Sequence, residues 1–265
     1  PSEIMIIGSA CGTNEDNYVL GKFAHSTLKT HNIDFLRHLD NNFADNFLRT
    51  NDRAPNSHGV VEVGVKHESS SGVSMDSLIE RIKQHAIKAI YVMGDDIAEK
   101  SEIAAALGSV ECLIVHASNH NATTALAHVV LASTAYAELE GTFTTMNKRV
   151  QYLQPAVATV ENERIAGLEM SRWDKFGASN DRWARGERRN CRQHWQIIQD
   201  IANQLGEDWH YSNSESVFKD IANHVGAFSG MSYDLLQEFQ GLTLGKADSP
   251  DPKPMMYKSH RLKPN

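Results

Sequence analysis

Hydrophobic positions in the first half of the chain fall into short runs, separated by stretches with helical spacing. Ile4-Met5-Ile6-Ile7 is the first run, and the glycine-containing loop 8–13 follows it. From Asn14 to about Thr30 the pairs Val19/Phe23 and Leu20/Ala24/Leu28 predict a helix. Thr13 or Asn14 can cap it, and Glu15 and Asp16 suit the positive end of its dipole. Asp40 to Gly59 is rich in Asn and Asp and contains Pro55, which predicts a long loop, and Val60-Val61-Glu62-Val63 predicts a strand. Ser74 caps a helix through about His85, and the strand Ala89–Met93 and the turn Gly94-Asp95-Asp96 come next. A helix from Ile97 to Leu107 ends at Gly108. Cys112–Val115 and Val129–Leu131 are further strands, with a polar loop and a short Ala/Thr helix between them. Such alternation predicts an α/β fold over residues 1–155: a Rossmann-like, layered α/β/α unit with a mostly parallel sheet.

The pattern changes near Pro155. Residues 156–245 begin as an irregular segment without a period, anchored by Trp173, Phe176 and Trp183. Helices return at Arg192–Leu205, with Trp195, Ile198, Ile201 and Leu205 on one stripe, then at Ser214–Val225 and Ser232–Phe239. Residues 246–265, with several prolines, predict an extended or disordered tail.

Composition removes some classes of function. The 26 Lys plus Arg against 33 Asp plus Glu give a net charge of -7, which argues against whole-surface nucleic-acid binding. The densest apolar stretch, Ala127 to Ala137, is broken by His128, Ser133 and Thr134 and falls short of the roughly 18 residues of a membrane span. No basic start precedes an apolar block, so no signal peptide is legible. Cys11, Cys112 and Cys191 are too far apart in sequence for a tight metal motif. Their odd number suggests a reducing compartment and mostly buried thiols, and no iron–sulfur cluster housed by this chain alone. A core strand only three residues after Pro1 suggests a piece cut from a longer chain.

Candidate chemistry is sparse. Strand, glycine loop and helix at 4–17 have the shape that cradles phosphate on helix amides. Gly8 and Gly12 are not at dinucleotide-fingerprint spacing, however, and Glu15 and Asp16 would repel an anion, as would Asp95 and Asp96 at the next strand–helix junction. His116 and His120 are four apart, but on a loop, with His128 as the third partner for a metal, so local hydrogen bonding is the plainer reading. Arg182, Arg185, Arg188, Arg189 and Arg192 interleave with Trp183 and Trp195, a mixture found in interfaces as well as nucleic-acid grooves. The acidic remainder of the chain favours docking on an acidic partner over RNA, with a solvated arginine loop as the plain alternative. No Ser–His–Asp, HExxH, Walker or paired-carboxylate arrangement stands out.

The segment YAELEGTFTTMNKRVQ (136–151), with AHVVLAST before it, resembles the "DVVLP" and "EKDGTFTNTEGRVQ" segments of the molybdopterin oxidoreductase family. TNEDNYVLGKFAHSTLKTHNIDFLRHLD, DRAPNSHGVVEVGV, AIYVMGDD and the tryptophan helix 190–205 resemble further family segments in the same order, so that the likeness spans roughly residues 4–240. The resemblance implies a formate dehydrogenase or DMSO reductase-like domain. The family's metal-ligating Cys, selenocysteine or Ser and its upstream cluster cysteines have no counterpart here, His128 and Ala132 replace the Asp and Pro of "ADVVLP", and Asp95 or Asp96 replaces the Asn of "GENP". That pattern is similar to the large iron–sulfur subunit of bacterial NADH-quinone oxidoreductase, respiratory complex I. The resemblance then implies a domain without molybdopterin and without catalytic or metal-ligating residues. Iron–sulfur clusters would lie on an N-terminal domain outside this chain, and the partners would be other subunits of a respiratory electron-transfer complex. The location would be cytoplasmic, peripheral at the inner face of the bacterial plasma membrane. Arg182, Trp183, Arg185, Arg188 and Arg189 would supply the interface. A formate-dehydrogenase-like fragment is the alternative, with His116, Asn119, Thr123, Glu138, Gly141 and Thr142 facing the pterin; a stand-alone binding module is the third.

Overall fold

In the computed structural model the described residues are 1–47, 49–67, 72–156 and 191–247. Five strands, β1 (Ile4–Gly8), β2 (Ile33–Phe35), β3 (Ala89–Met93), β4 (Cys112–Ala117) and β5 (Val129–Ala132), form a parallel sheet in the order β2-β1-β3-β4-β5. Side chains alternate across the sheet because the period of a strand is two. Met5, Ile7, Ile90, Val92, Leu113 and Val115 therefore enter one apolar cluster, while Ile6, Tyr91 and Met93 enter the other. On the first face lie α3 (Leu78–Lys83) and α4 (Ser101–Leu107), through Leu78, Ile82, Ile103 and Leu107. The opposite face is covered by α1 (Asn14–Lys22) and α2 (Ser57–Glu62), together with α6 (His194–Gln204), α7 (Ser214–His224) and α8 (Tyr233–Glu238). The three layers match the expected α/β/α arrangement.

Several elements differ from the sequence reading. Val60–Val63 is not a strand: it belongs to α2 and the residue after it, and Val60 and Val63, three apart, point into the core beside α1. Tertiary packing overrides the β-propensity of a valine run. The helix from Asn14 changes at Phe23 into a π-helical turn, Phe23–Thr27, and the stretch from Ile97 divides into a 3-10 turn (Ile97–Glu99) and α4. The loop after Asp40 is pinned by an antiparallel bridge between Leu39 and Asp52 and is shorter than expected, because α2 starts at Ser57. Cys11 is exposed and Cys112 and Cys191 are partly buried, so the expectation of buried thiols is not met; all three are free.

Two features position the functional crevice. The first is a small antiparallel sheet of β6 (Gly141–Thr144), β7 (Arg149–Leu153) and β8 (Leu242–Thr243), which packs against the start of α1. The second is α5 (Ala122–Leu126), capped by Asn121. Its first turn receives the Asp96 carboxylate, which accepts from the amide and hydroxyl of Thr123. Among the described residues no helix is long and apolar enough to cross a membrane.

Candidate functional site

In an open parallel sheet, ligands bind at the carboxyl edge where the strand order reverses. Here the chain runs from β1 outward to β2 and then returns past β1 to β3, so the reversal lies between the loops after β1 and β3. A cavity of about 350 Å³ opens there, lined by Cys11 and Gly12 after β1, Gly94, Asp95 and Asp96 after β3, Asn119 and Asn121 after β4, Ser133, Thr134 and Tyr136 after β5, and His194 from α6. A second hollow of about 390 Å³ adjoins it across Cys11 and His38 and carries Arg37, Arg53 and Lys100 beside Asp40 and Glu99.

Four amides of the loop after β1 are bonded within the loop and the first turn of α1. Ser9 N donates to Asn17 Oδ1, Cys11 N to Ser9 Oγ, Gly12 N to the Ser9 carbonyl and Thr13 N to Asp16 Oδ2. Asp16 does more than cap α1. Its Oδ2 also accepts from the Thr13 hydroxyl at 2.8 Å, while its Oδ1 accepts from Trp195 N at 3.0 Å in the first turn of α6. One buried carboxylate thus serves the N-termini of two helices, which is the place and the electrostatic role an anionic ligand takes at such a junction. Glu15, beside it, is fully buried and accepts from Thr142 N, the Thr142 hydroxyl and the Tyr233 hydroxyl. Burial outweighs these hydrogen bonds and pushes its carboxyl up to about 8.

Behind the cavity wall three rings form a buried chain. Tyr91 Oη lies 2.5 Å from His116 Nε2, and His116 Nδ1 lies 3.2 Å from His194 Nδ1, with the two imidazoles stacked. Burial holds His116 well below the ordinary histidine range and lowers His194 as well, so both are neutral near pH 7. A contact between two Nδ1 atoms requires one donor and one acceptor. In the tautomers that give the Tyr91 hydroxyl an acceptor, it donates to His116 Nε2 and His116 Nδ1–H donates to His194 Nδ1. That leaves His194 Nε2–H as a donor beside Gly94, where a Cβ would come within 2.8 Å of Nε2. At the mouth, Asp95 Oδ2 lies 3.0 Å from His38 Nε2, and the Asp95 bond raises the His38 pKa.

The six pocket candidates from the sequence divide into two groups. Asn119 lines the cavity; His116 stands behind His194, and Thr123 stands behind Asp96. Glu138 instead accepts from Ala135 N, and Gly141 and Thr142 press on Thr13 and Glu15 under α1. His120 is exposed, and His128 accepts from Leu113 N beside β4, so the three sequence histidines lie apart. Among the described residues no group of three or more His, Cys, Asp or Glu could hold a metal ion. Arg182, Trp183, Arg185, Arg188 and Arg189 lie outside the described residues; Arg192 pairs with Asp200. His194 was not legible as a site residue, because its partner is 78 positions away and its spacing follows the helix.

Comparison with known proteins agrees with this architecture. Residues 4–165, more than half of the chain, match the molybdopterin oxidoreductase family model. Over 198 residues the chain is 25% identical to a Bacillus subtilis (strain 168) protein provisionally named formate dehydrogenase YrhE, covering 73% of this chain and 17% of that protein. It is 24% identical over 200 residues to a Staphylococcus aureus (strain USA300) protein with the same provisional activity in its name, covering 74% of this chain and 18% of that one. The chain therefore spans less than a fifth of the length of these relatives. By its matched residues and its sheet, the chain belongs to the molybdopterin oxidoreductase family.

Proposed function

We propose that this domain is a cofactor-free form of the molybdopterin oxidoreductase fold, acting as a scaffold in an electron-transfer assembly, as part of a large iron–sulfur subunit of the NADH-quinone oxidoreductase type. The observation that carries this reading is the self-sealed loop after β1. A pterin cofactor bearing phosphate or pyrophosphate would need free amides or cations at the strand–helix junction. The amides of Ser9, Cys11, Gly12 and Thr13 are already bonded within the chain, and Asp16 and Glu15 place two buried carboxyl groups beneath them. The described lining of the 350 Å³ cavity contains no Lys or Arg. The residues lining this cavity do not fit a pyrophosphate.

On this reading the domain contributes surface and rigidity, electrons pass through iron–sulfur clusters on another domain, and the assembly sits at the cytoplasmic face of the membrane. Relatives named for formate dehydrogenase activity favour a second reading, in which this chain is part of a molybdenum or tungsten enzyme. Cofactor contacts would then come from other parts of the polypeptide.

The scaffold reading is tested at the arginine segment. Replacing Arg185, Arg188 and Arg189 by Ala in the native full-length protein should leave its melting temperature within about 1–2 °C and release it from its co-purifying partners. Retention of every partner by the triple variant would refute docking through this segment.

A further inference from the structure

The two edges of the parallel sheet are built differently. β2 is three residues long, and Asp34 at its centre holds Met75 N of the segment leading to α3. Shortness and an acidic side chain both keep an edge from pairing with another chain. β5, at the other edge, is Val129-Val130-Leu131-Ala132, with neither charge nor proline. Its inner side pairs with β4, while Val129 and Val130, on opposite faces, are 44% and 46% exposed. Leu126, at the end of α5 just before it, is exposed as well. Among the described residues the outer side is occupied only at its carboxyl end. There Arg192 forms a parallel bridge with Ser133, and the Arg192 carbonyl accepts from Thr134 N.

From this contrast we infer that β5 pairs antiparallel with β5 of a second copy of this chain, joining the two sheets into one across a two-fold axis. Charge is what singles out a second copy. A two-fold contact sets each group near its own counterpart, so a formal charge there meets a like charge. No Asp, Glu, Lys or Arg occurs from Cys112 to Ala137, the stretch that holds β4, α5 and β5. His128, just before β5, accepts from Leu113 N through Nδ1, as only a neutral imidazole can. An acidic or basic partner finds nothing here to select it. The Arg192 bridge limits the register, because it takes up the edge beyond Ala132 in each copy. Val129 then lies opposite Ala132 of the other copy, and Val130 opposite Leu131. Outward-facing N–H and C=O groups of an edge strand gain partners by such addition, and the exposed valines gain apolar cover. The inference does not depend on the cofactor-free reading, which leaves this edge unchanged.

Native mass spectrometry of the full-length protein, purified with its partners, provides the test by counting copies of this chain per assembly. The expected result is two copies for the parent. Val130→Lys sets like charges beside the axis and should leave one copy, with an unchanged circular dichroism spectrum because the side chain lies at the rim. Val129→Cys combined with Ala132→Cys is the second variant. Within one strand these positions are too far apart to bridge, but across the axis they lie opposite each other, so mild oxidation should link two copies covalently where the parent stays unlinked. One copy per assembly in the parent would overturn the inference, whether the edge stays bare or holds a different chain. Two copies retained by Val130→Lys would overturn it as well, as would failure of the cysteine pair to link.

Discussion

Glu15 occupies the first turn of α1, where a carboxylate ordinarily meets water and the helix dipole, yet here it has no exposed surface. Its partners lie 127 and 218 positions away, at Thr142 and Tyr233. Its place in the helix is legible in the sequence; its burial is not. With a folded pKa of about 8 against 4.5, Glu15 stabilises the fold fully only below about pH 4.5, and that stability is lost as pH rises through about 8. Glu15→Gln should thus flatten the fall of melting temperature between about pH 5 and pH 8; an unchanged slope would show that Glu15 does not titrate in this range. Gly94 is legible as a turn glycine, but its second requirement is not. At φ +63° with His194 Nε2 within 2.8 Å of a Cβ, Gly94→Ala meets both backbone strain and a clash. Thermal unfolding should report a loss of about 1–3 kcal/mol. A variant as stable as the parent would mean that α6 shifts freely.

At the scale of elements, α6 links the C-terminal helices to the sheet through Asp16 and the His116–His194 contact. That contact needs at least one neutral imidazole, and burial disfavours charging either; the charged groups facing it are few: Asp16 from α1, which only partly offsets the lowering of His194 by burial, and Asp95 with His38 across the cavity. Folded pKa values depressed below 6.5 make this stability present above about pH 6.5 and lost as pH falls. Trp195, next to His194, should report the change: its emission and the melting temperature should both shift between about pH 7 and pH 5. His194→Gln should reduce that acid slope, and an identical slope would place the acid sensitivity elsewhere. The amphipathic helices α6, α7 and α8 were readable to within two residues, because their apolar stripes are strong. Elements whose form depends on neighbours were not readable. Val60–Val63 is a valine run made helical by burial against α1, and β8 is two residues long and pairs with a strand about 90 positions earlier.

For the molecule as a whole, the layered α/β/α plan followed from alternation of strand and helix, and the reversal point followed from the strand order once the structure was known. The contents of the crevice did not follow from the sequence. They come from loops and a helix brought together by the fold, and Asp16 looks in sequence like an ordinary capping residue. The outer strand, β5, leaves Val129 and Val130 44% and 46% exposed, unusual for a parallel sheet whose strands are normally covered on both faces.

The central claim is that the sealed β1 loop belongs to a domain without pterin cofactor. Its most direct test is metal and pterin analysis of the native full-length polypeptide, purified with its partners. The account predicts iron without stoichiometric molybdenum or tungsten, and no pterin released on oxidation. One equivalent of molybdenum or tungsten with bound pterin would contradict it and make the formate-dehydrogenase-like reading the better one.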